Sequence, residues 1–387
     1  MVRVAPLREG RLVGIDVART VALVGMIATH VLDGRTTTGE LTAVQWLAGG
    51  RASALFAVLA GVSIALMSGG ADPVRGRERT RTVLGLAARA VLVALIGLAL
   101  GGLETSLAII LAYYGVLFLL GLPFIGLRAV ALAVLAGVWL VAAPVLSHLL
   151  RPDLPVRVPE SPDFSRLADP GPLLADLLLT GFYPALPWLA YLLAGMAIGR
   201  SDLSGWRTPL RLAACGLGIA VLATAASRLC TASVEVRNAL LPNRVTTEDE
   251  LLQVLSGSQH GTTPTDGAWQ WLLVVSPHSA TPFDLAQTTG SALVVIGLAL
   301  AVADVLPRRG RALLAVAAGA GAMPLSLYTL HVVMRTPDVW PAERESTFGW
   351  HVVVVLGIGA VFALLGRRGP LEWLVGWPGR RLRVRRA

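Results

Sequence analysis

Lysine is missing from this chain. All 33 basic residues are arginine, set against 24 acidic ones for a formal net charge of +9. A positive balance of that size can serve nucleic acid, but the arginines fall in short clusters between apolar runs. No aromatic-basic binding module accompanies them, which argues against a nucleic-acid partner. Cysteine is scarce, with only Cys215 and Cys230. If one helix carries both, they lie about 22 Å apart, too far for a disulfide. Also absent are a Walker loop, a dinucleotide fingerprint, a zinc-ligand spacing and a serine nucleophile elbow, so no metal site is expected. Charge of either sign is limited to 15% of residues. Hydrophobic residues make up 55%, and the mean hydropathy is +0.67. A soluble globular protein is thereby excluded. The composition is that of an all-α polytopic membrane protein.

The apolar runs predict about ten transmembrane helices, near 11–33, 51–68, 82–102, 107–122, 129–148, 176–199, 210–228, 284–305, 312–334 and 349–366. Arg3, Arg8 and Arg11, the cluster Arg75 to Arg81, Arg128, Arg200 to Arg211, Arg308 to Arg311 and the tail Arg380 to Arg386 alternate with these runs. By the positive-inside rule they place both termini in the cytoplasm of a plasma-membrane protein. The whole of 1–387 reads as one transmembrane domain with two long outer loops, 150–175 and 229–283. Pro184 and Pro187 are expected to interrupt the sixth span, and Pro324 lies in the ninth. In the second loop, Thr247 and Glu250 predict a capped helix that Gly257 ends, and Trp269 to Val275 reads as an interfacial dip. Thr281, Pro282 and Asp284 are expected to open the eighth span.

The first span is the exceptional one, because it carries Asp16, Arg19 and His30 on one side. At 100° per residue Arg19 lies about 60° and His30 about 40° from Asp16, with Gly25 opposite, where a neighbouring helix can approach. Ionisable groups in lipid face a bundle interior or a wet cavity. His30, His278 and His331 all fall near the outer ends of their spans, at one depth, which is the arrangement expected of a base or an acyl-accepting site. Asp33, one turn past His30, is placed to orient it. His148, His260 and His351 read as interfacial or loop residues. Asp16 and Arg19 form either a structural ion pair or a site where Arg19 meets a phosphate. Arg51 either binds a substrate anion or snorkels.

Several motifs carry a resemblance. Residues 11–26, RLVGIDVARTVALVGM, resemble the opening of the transmembrane heparan-α-glucosaminide N-acetyltransferase family and its bacterial YeiB-like relatives. GRASALFAVLAGVSIAL (50–66), YPALPWLAYLLAGMAIGR (183–200) and GAMPLSLYTLH (321–331) are similar to later spans of that family, and RRGPLEWL (367–374) to the YeiB-like tail. The resemblance implies acyl transfer across a membrane: acetyl-CoA donates from the cytoplasm, and an amine or hydroxyl, typically on a sugar or lipid-linked acceptor, receives the group outside. A histidine is the catalytic group it implies. The lysosomal members carry theirs in the first outer loop, where residues 34–50 here have none, while His331 matches a family histidine in the ninth span.

The expected function is therefore an integral membrane acyltransferase with acyl-CoA as co-substrate and no resident cofactor. His30, His331 and His278 are its candidate catalytic residues, with Asp16, Arg19, Asp33 and Arg51 as candidate binding residues. Membrane lipids are expected contacts, and a homodimer is open. A transporter or flippase for a small polar or lipid-linked solute is the alternative that ten spans, a proline-broken helix and buried charge also suit.

Overall fold

Each apolar run long enough to bury one face against its neighbours becomes a helix. Several of the arginine clusters between runs form the first turns of the next helix, as Arg77, Arg79 and Arg81 and then Arg308, Arg309 and Arg311 do. The computed structural model of the chain describes residues 12–203, 205–240, 248–265, 268–341 and 344–383. The helices are α1 (Val13–Val31), a short α2 (Ala43–Ala48), α3 (Arg51–Met67), α4 (Gly76–Gly101), α5 (Leu111–Gly121) and α6 (Ala129–Leu150). Next come a short α7 (Pro170–Ala175), α8 (Ala185–Gly199), α9 (Arg207–Cys230), α10 (Val234–Leu240) and α11 (Glu248–Ser256). The chain closes with α12 (Pro282–Val305), α13 (Arg308–Ala317), α14 (Pro324–Met334), α15 (Phe348–Leu364) and α16 (Pro370–Arg383). Among the described residues the only extended pairing is an isolated bridge between Arg35 and Leu41. Six helical stretches are long and apolar enough to cross a membrane, or seven if the bent pair Pro170–Thr180 and Ala185–Gly199 is one span. Leu111–Gly126, Pro324–Met334 and Phe348–Leu364 are apolar but shorter. One contiguous apolar core runs from Ile15 in α1 to Val375 in α16.

The expected spans are all helical, but two are broken. The sixth bends by 50° between a π turn at Asp176–Thr180 and the start of α8. Pro184 is the N-cap of α8, whereas Pro187 lies in its first turn, where a missing N–H costs nothing, and so does not interrupt it. The break is lined with polar partners. The Tyr113 hydroxyl donates to Asp176 Oδ2 at 3.1 Å and accepts from the Phe182 N–H at 3.4 Å. The ninth span is not one helix: α13 ends at Ala317, a 3-10 turn covers Gly319–Ala322, and α14 starts at Pro324. Its freed backbone groups are taken up by α1. Thr20 donates to Ala318 O at 3.2 Å and accepts from the Gly321 N–H at 2.9 Å. Such breaks persist at membrane depth only where protein partners replace the lost ladder bonds.

Helices α3 and α8 cross at closest approach through Gly61 and Gly195. A Cβ on Gly195 would sit 1.9 Å from Val58 O, and one on Gly61 would sit 2.1 Å from Leu192 O. Only glycine admits that contact, the small-residue packing expected between membrane helices. Gly25 makes a looser version of it: a Cβ there would lie 3.1 Å from Ala52 Cβ. At the end of α8, Arg200 is buried and donates to the terminal carbonyls of α3, Ala65 at 2.9 Å and Ser68 at 3.1 Å, and to Gly70 at 2.7 Å. The charge expected to mark a membrane face is also the C-terminal cap of a neighbouring helix.

In the second outer segment, α10, α11 and a 3-10 turn at Trp269–Leu273 enclose Leu240, Leu251, Trp271 and Val274. Trp271 is thus the centre of a small satellite core, not an interfacial dip, although Trp269 beside it is exposed. Helix α11 ends at Gly257 as expected, but Thr247, its expected cap, lies outside the described residues. Arg3, Arg8, Arg11, Arg385 and Arg386 lie outside them as well. The Thr281 hydroxyl accepts from the Asp284 N–H at 3.1 Å and opens α12 with Pro282 at its first position. Cys215 and Cys230 share α9, both exposed and free.

Candidate active site

Two cavities meet on the polar side of α1. The outer one, of about 1030 Å³, is lined by His30 in the last turn of α1, by Gln45, by the 101–108 turn after α4, and by the loops that carry Arg157, His260 and His278. The inner one, of about 630 Å³, is lined by Arg19 in the second turn of α1 and by faces of α3, α4, α5, α14 and α16. Met26 lines both. It lies one turn before His30 on the same helix, so the two cavities share a wall one turn from the imidazole.

The most ordered polar feature is a chain of three imidazoles. His30 Nδ1 lies 3.1 Å from His331 Nε2, the two rings stacked 5.3 Å apart and 7° from parallel. His331 Nδ1 lies 3.0 Å from His351 Nδ1, those rings crossing at 77°. His331 and His351 are completely buried, and His30 alone reaches a cavity. Sequence reading placed His351 among the interfacial residues, and the structure corrects this. The residue begins α15, and a one-turn offset decides whether its ring meets lipid or α14. No periodicity argument resolves that, because the mostly apolar α15 has little amphipathic asymmetry to orient it. Arg335, also buried, caps α14 one turn beyond His331 and reaches Ser106 Oγ at 3.5 Å. Among the described residues no cluster of three or more His, Cys, Asp or Glu has the geometry to hold a metal ion, and these rings bond one another in sequence.

The other expected site residues separate. His278 lines the outer cavity in a left-handed conformation (φ 53), edge-on to Tyr183 and stacked on Trp188. Burial and the neighbouring charge of His260 push its pKa down to about 4, so its ring is neutral near pH 7. His260, read from sequence only as a loop residue, also lines this cavity; burial and then Arg157 lower its pKa. Arg157 stacks its guanidinium 4.2 Å from the Phe182 ring centroid. Glu104, Glu160 and Asp163 complete a lining of mixed charge. Asp33 is exposed and lines neither cavity, and His30 Nδ1 is engaged by His331. Arg51 donates to Trp46 O at 2.5 Å and also lines neither cavity.

Asp16 and Arg19 form the expected ion pair at 3.1 Å. Arg19 goes further, donating to Ser63 Oγ at 2.7 Å and to Gly321 O at 3.5 Å, and so ties α1 to α3 and to the break before α14. It remains on the wall of the inner cavity together with Arg81, Arg89, Arg368 and Arg380, against one carboxylate, Glu372. That carboxylate is already used. Glu372 accepts the Leu325 N–H at 2.7 Å, the Ser326 N–H at 3.2 Å and the Ser326 hydroxyl at 2.5 Å, capping the N-terminus of α14. Helix α16, not anticipated as a helix, thereby joins the inner wall to the helix that carries His331. Its signal in the sequence was the proline at its first position and the amphipathic spacing of Leu371, Val375 and Leu382.

A sequence profile for the heparan-alpha-glucosaminide N-acetyltransferase catalytic domain matches residues 11–228. A comparison with curated proteins finds no match. The matched region holds α1, with Asp16, Arg19 and His30, the walls that α3 and α4 give to both cavities and the wall that α5 gives to the inner one; His331, His351 and α16 lie beyond it. The match covers more than half of the chain and sides with the transferase reading over the transporter. With its apolar helices and with His30 one turn from the residue that lines both cavities, this multi-pass membrane protein belongs to the heparan-alpha-glucosaminide N-acetyltransferase family of membrane acetyltransferases.

Proposed function

We propose that the protein transfers an acetyl group from cytoplasmic acyl-CoA, bound in the inner cavity, to an amine or hydroxyl of a sugar-like or lipid-linked acceptor in the outer cavity. The observation that carries this reading is that Met26 lines both cavities one turn from His30. The donor's thioester and the acceptor's nucleophile can then meet at one imidazole. The family is one of acetyl-CoA-using transferases, and the inner cavity suits that donor. Five arginines offer phosphate contacts, and apolar side chains such as Phe56, Leu59 and Phe118 flank the path of a pantetheine arm. Arg81 belongs to the cluster that the positive-inside rule places in the cytoplasm, so the inner cavity opens on the donor's side, with both termini on the same side.

His30 Nε2 is the nitrogen left for the outer cavity, since Nδ1 is engaged by His331. In the proposed step it takes the proton of the acceptor N–H or O–H as that atom attacks the thioester carbonyl. The tetrahedral adduct collapses, the C–S bond breaks, and the CoA sulfur leaves as thiolate or, with the proton returned by His30, as thiol. Transient acylation of His30 is the alternative route and would appear as a burst of CoA release before acceptor is added. His278, neutral and packed on Trp188, and Arg157 contribute to the acceptor wall.

The test uses purified full-length protein in detergent or nanodiscs. Acetyl-CoA is expected to raise the melting temperature above that with ATP or NAD, and His30→Ala is expected to lower the rate of transfer by about 10³-fold while keeping that stabilisation. No selective stabilisation, or transfer indifferent to His30, would overturn the reading.

A further inference from the structure

The imidazole chain does not end at His331. His351, fully buried at the start of α15, places Nδ1 3.0 Å from His331 Nδ1, and its own Nε2 is buried with no hydrogen-bond partner. We propose that His351 is a positioning residue that holds the His331 ring in the orientation His30 needs to act as a base. The proposal rests on the role given to His30 above and identifies a residue outside the region shared with the family profile.

The argument follows from the two nitrogens of His331. For His30 Nε2 to be bare, the His30 proton must sit on Nδ1 and be donated to His331 Nε2. His331 then carries its proton on Nδ1 and needs an acceptor there, which His351 Nδ1 supplies. A half-turn of the His331 ring would put carbon at both contacts and break two hydrogen bonds where the His331 and His351 rings are fully buried. With an apolar side chain at 351, the same rotation breaks only one, and the orientation that supports His30 competes with one that does not. The bonds matter most when His30 accepts the acceptor's proton. His30 then donates from Nδ1 as a cation, and a donor chain that ends on an acceptor at each step stabilises that cation without any proton leaving His30. Arg335, whose charge lies one turn from His331, makes such neutral acceptors the appropriate partners, because a carboxylate there would pair with the arginine.

The test compares His351→Leu with His351→Asn, whose amide oxygen takes the place of the ring Nδ1. Transfer from acetyl-CoA to methyl α-glucosaminide is followed by thiol release. In parallel, solid-state NMR of lipid-embedded protein with isotope-labelled imidazoles reads the nitrogen–nitrogen contact between His30 and His331. His351→Leu is expected to lower kcat by about tenfold or more, with both KM values unchanged within about twofold, and to split the His30–His331 contact into two populations. His351→Asn is expected to restore both readouts. An intact contact and full kcat in His351→Leu, or an Asn variant as impaired as Leu, would overturn the proposal. The contact is read without turnover, so it decides the matter for an inactive probe substrate as well. Loss of transfer in His30→Ala with full activity in His351→Leu would refute the role of His351 alone, whereas transfer retained in His30→Ala would refute the catalytic reading itself.

Discussion

The two cavities are built from different materials. The inner wall is mostly helical, with arginines projecting from α1, α4, α16 and the turn before α16 among aromatic and aliphatic side chains, and its one carboxylate is committed to capping α14. The outer wall is mostly loop, with three histidines, three carboxylates and two arginines on segments whose backbone takes left-handed turns at His260, Gly261 and His278. A mostly helical wall with a strong excess of positive charge suits a ligand with several phosphates and an invariant shape. A loop wall with both signs suits a neutral or zwitterionic ligand, and loops are where specificity varies most readily. Family membership constrains the transfer chemistry, and the loops leave the acceptor to be specified separately.

The largest expected effect separates chemistry from both walls. His30→Ala should lower kcat by about 10³-fold, the usual worth of a positioned base, with acetyl-CoA affinity unchanged in equilibrium binding. A parallel loss of binding would mean that the two cavities are not independent. The next attacks the scaffold between them. Gly195→Ala drives a Cβ to within 1.9 Å of Val58 O and should cost about 1–3 kcal/mol of stability, seen as a lower melting temperature with both KM values affected together. Arg89→Ala tests the inner wall alone. The KM for acetyl-CoA should rise about tenfold, and added salt should weaken the wild type more than the variant; the acceptor KM should not move. The smallest effect concerns the outer wall. The pKa of His278 is about 4 when folded and near 6.5 when unfolded, so the unfolded chain takes up its proton first as the pH falls. Stability is therefore full above about pH 6.5 and is lost between there and about pH 4. The melting temperature of His278→Gln should fall less steeply across that window than that of the wild type.

Helical class, the positions of most spans, the Thr281 cap of α12 and the Asp16–Arg19 pair were legible because each rests on local spacing. Apolar length sets a span, a cap is decided within one turn, and an i,i+3 pair lies on one helix face. His30 and His331 were legible as candidates because both fall on membrane helices near the outer ends of their spans, at one depth, and ionisable side chains there face a bundle interior or a wet cavity. The break at Ala318–Met323 was not legible, because it depends on Thr20, about 300 residues earlier, accepting and donating the bonds the helix gives up. His351 was missed for a related reason. Its helix is apolar on most faces, so no periodicity says which side packs inward.

By itself, then, the chain determines a membrane-spanning, all-α protein of a recognisable transferase family, with charge and imidazole at opposite ends of its first helix. Those properties follow from hydropathy and from the short-range geometry of a helix, which every residue carries with it. Only the tertiary structure decided that α16 walls the inner cavity, that Asp33 and Arg51 stand outside both cavities, and that three histidines from α1, α14 and α15 join end to end. Such contacts depend on the rotation and depth of helices far apart in sequence, and these are set by packing at glycines such as Gly61 and Gly195, over which no single segment has a preference.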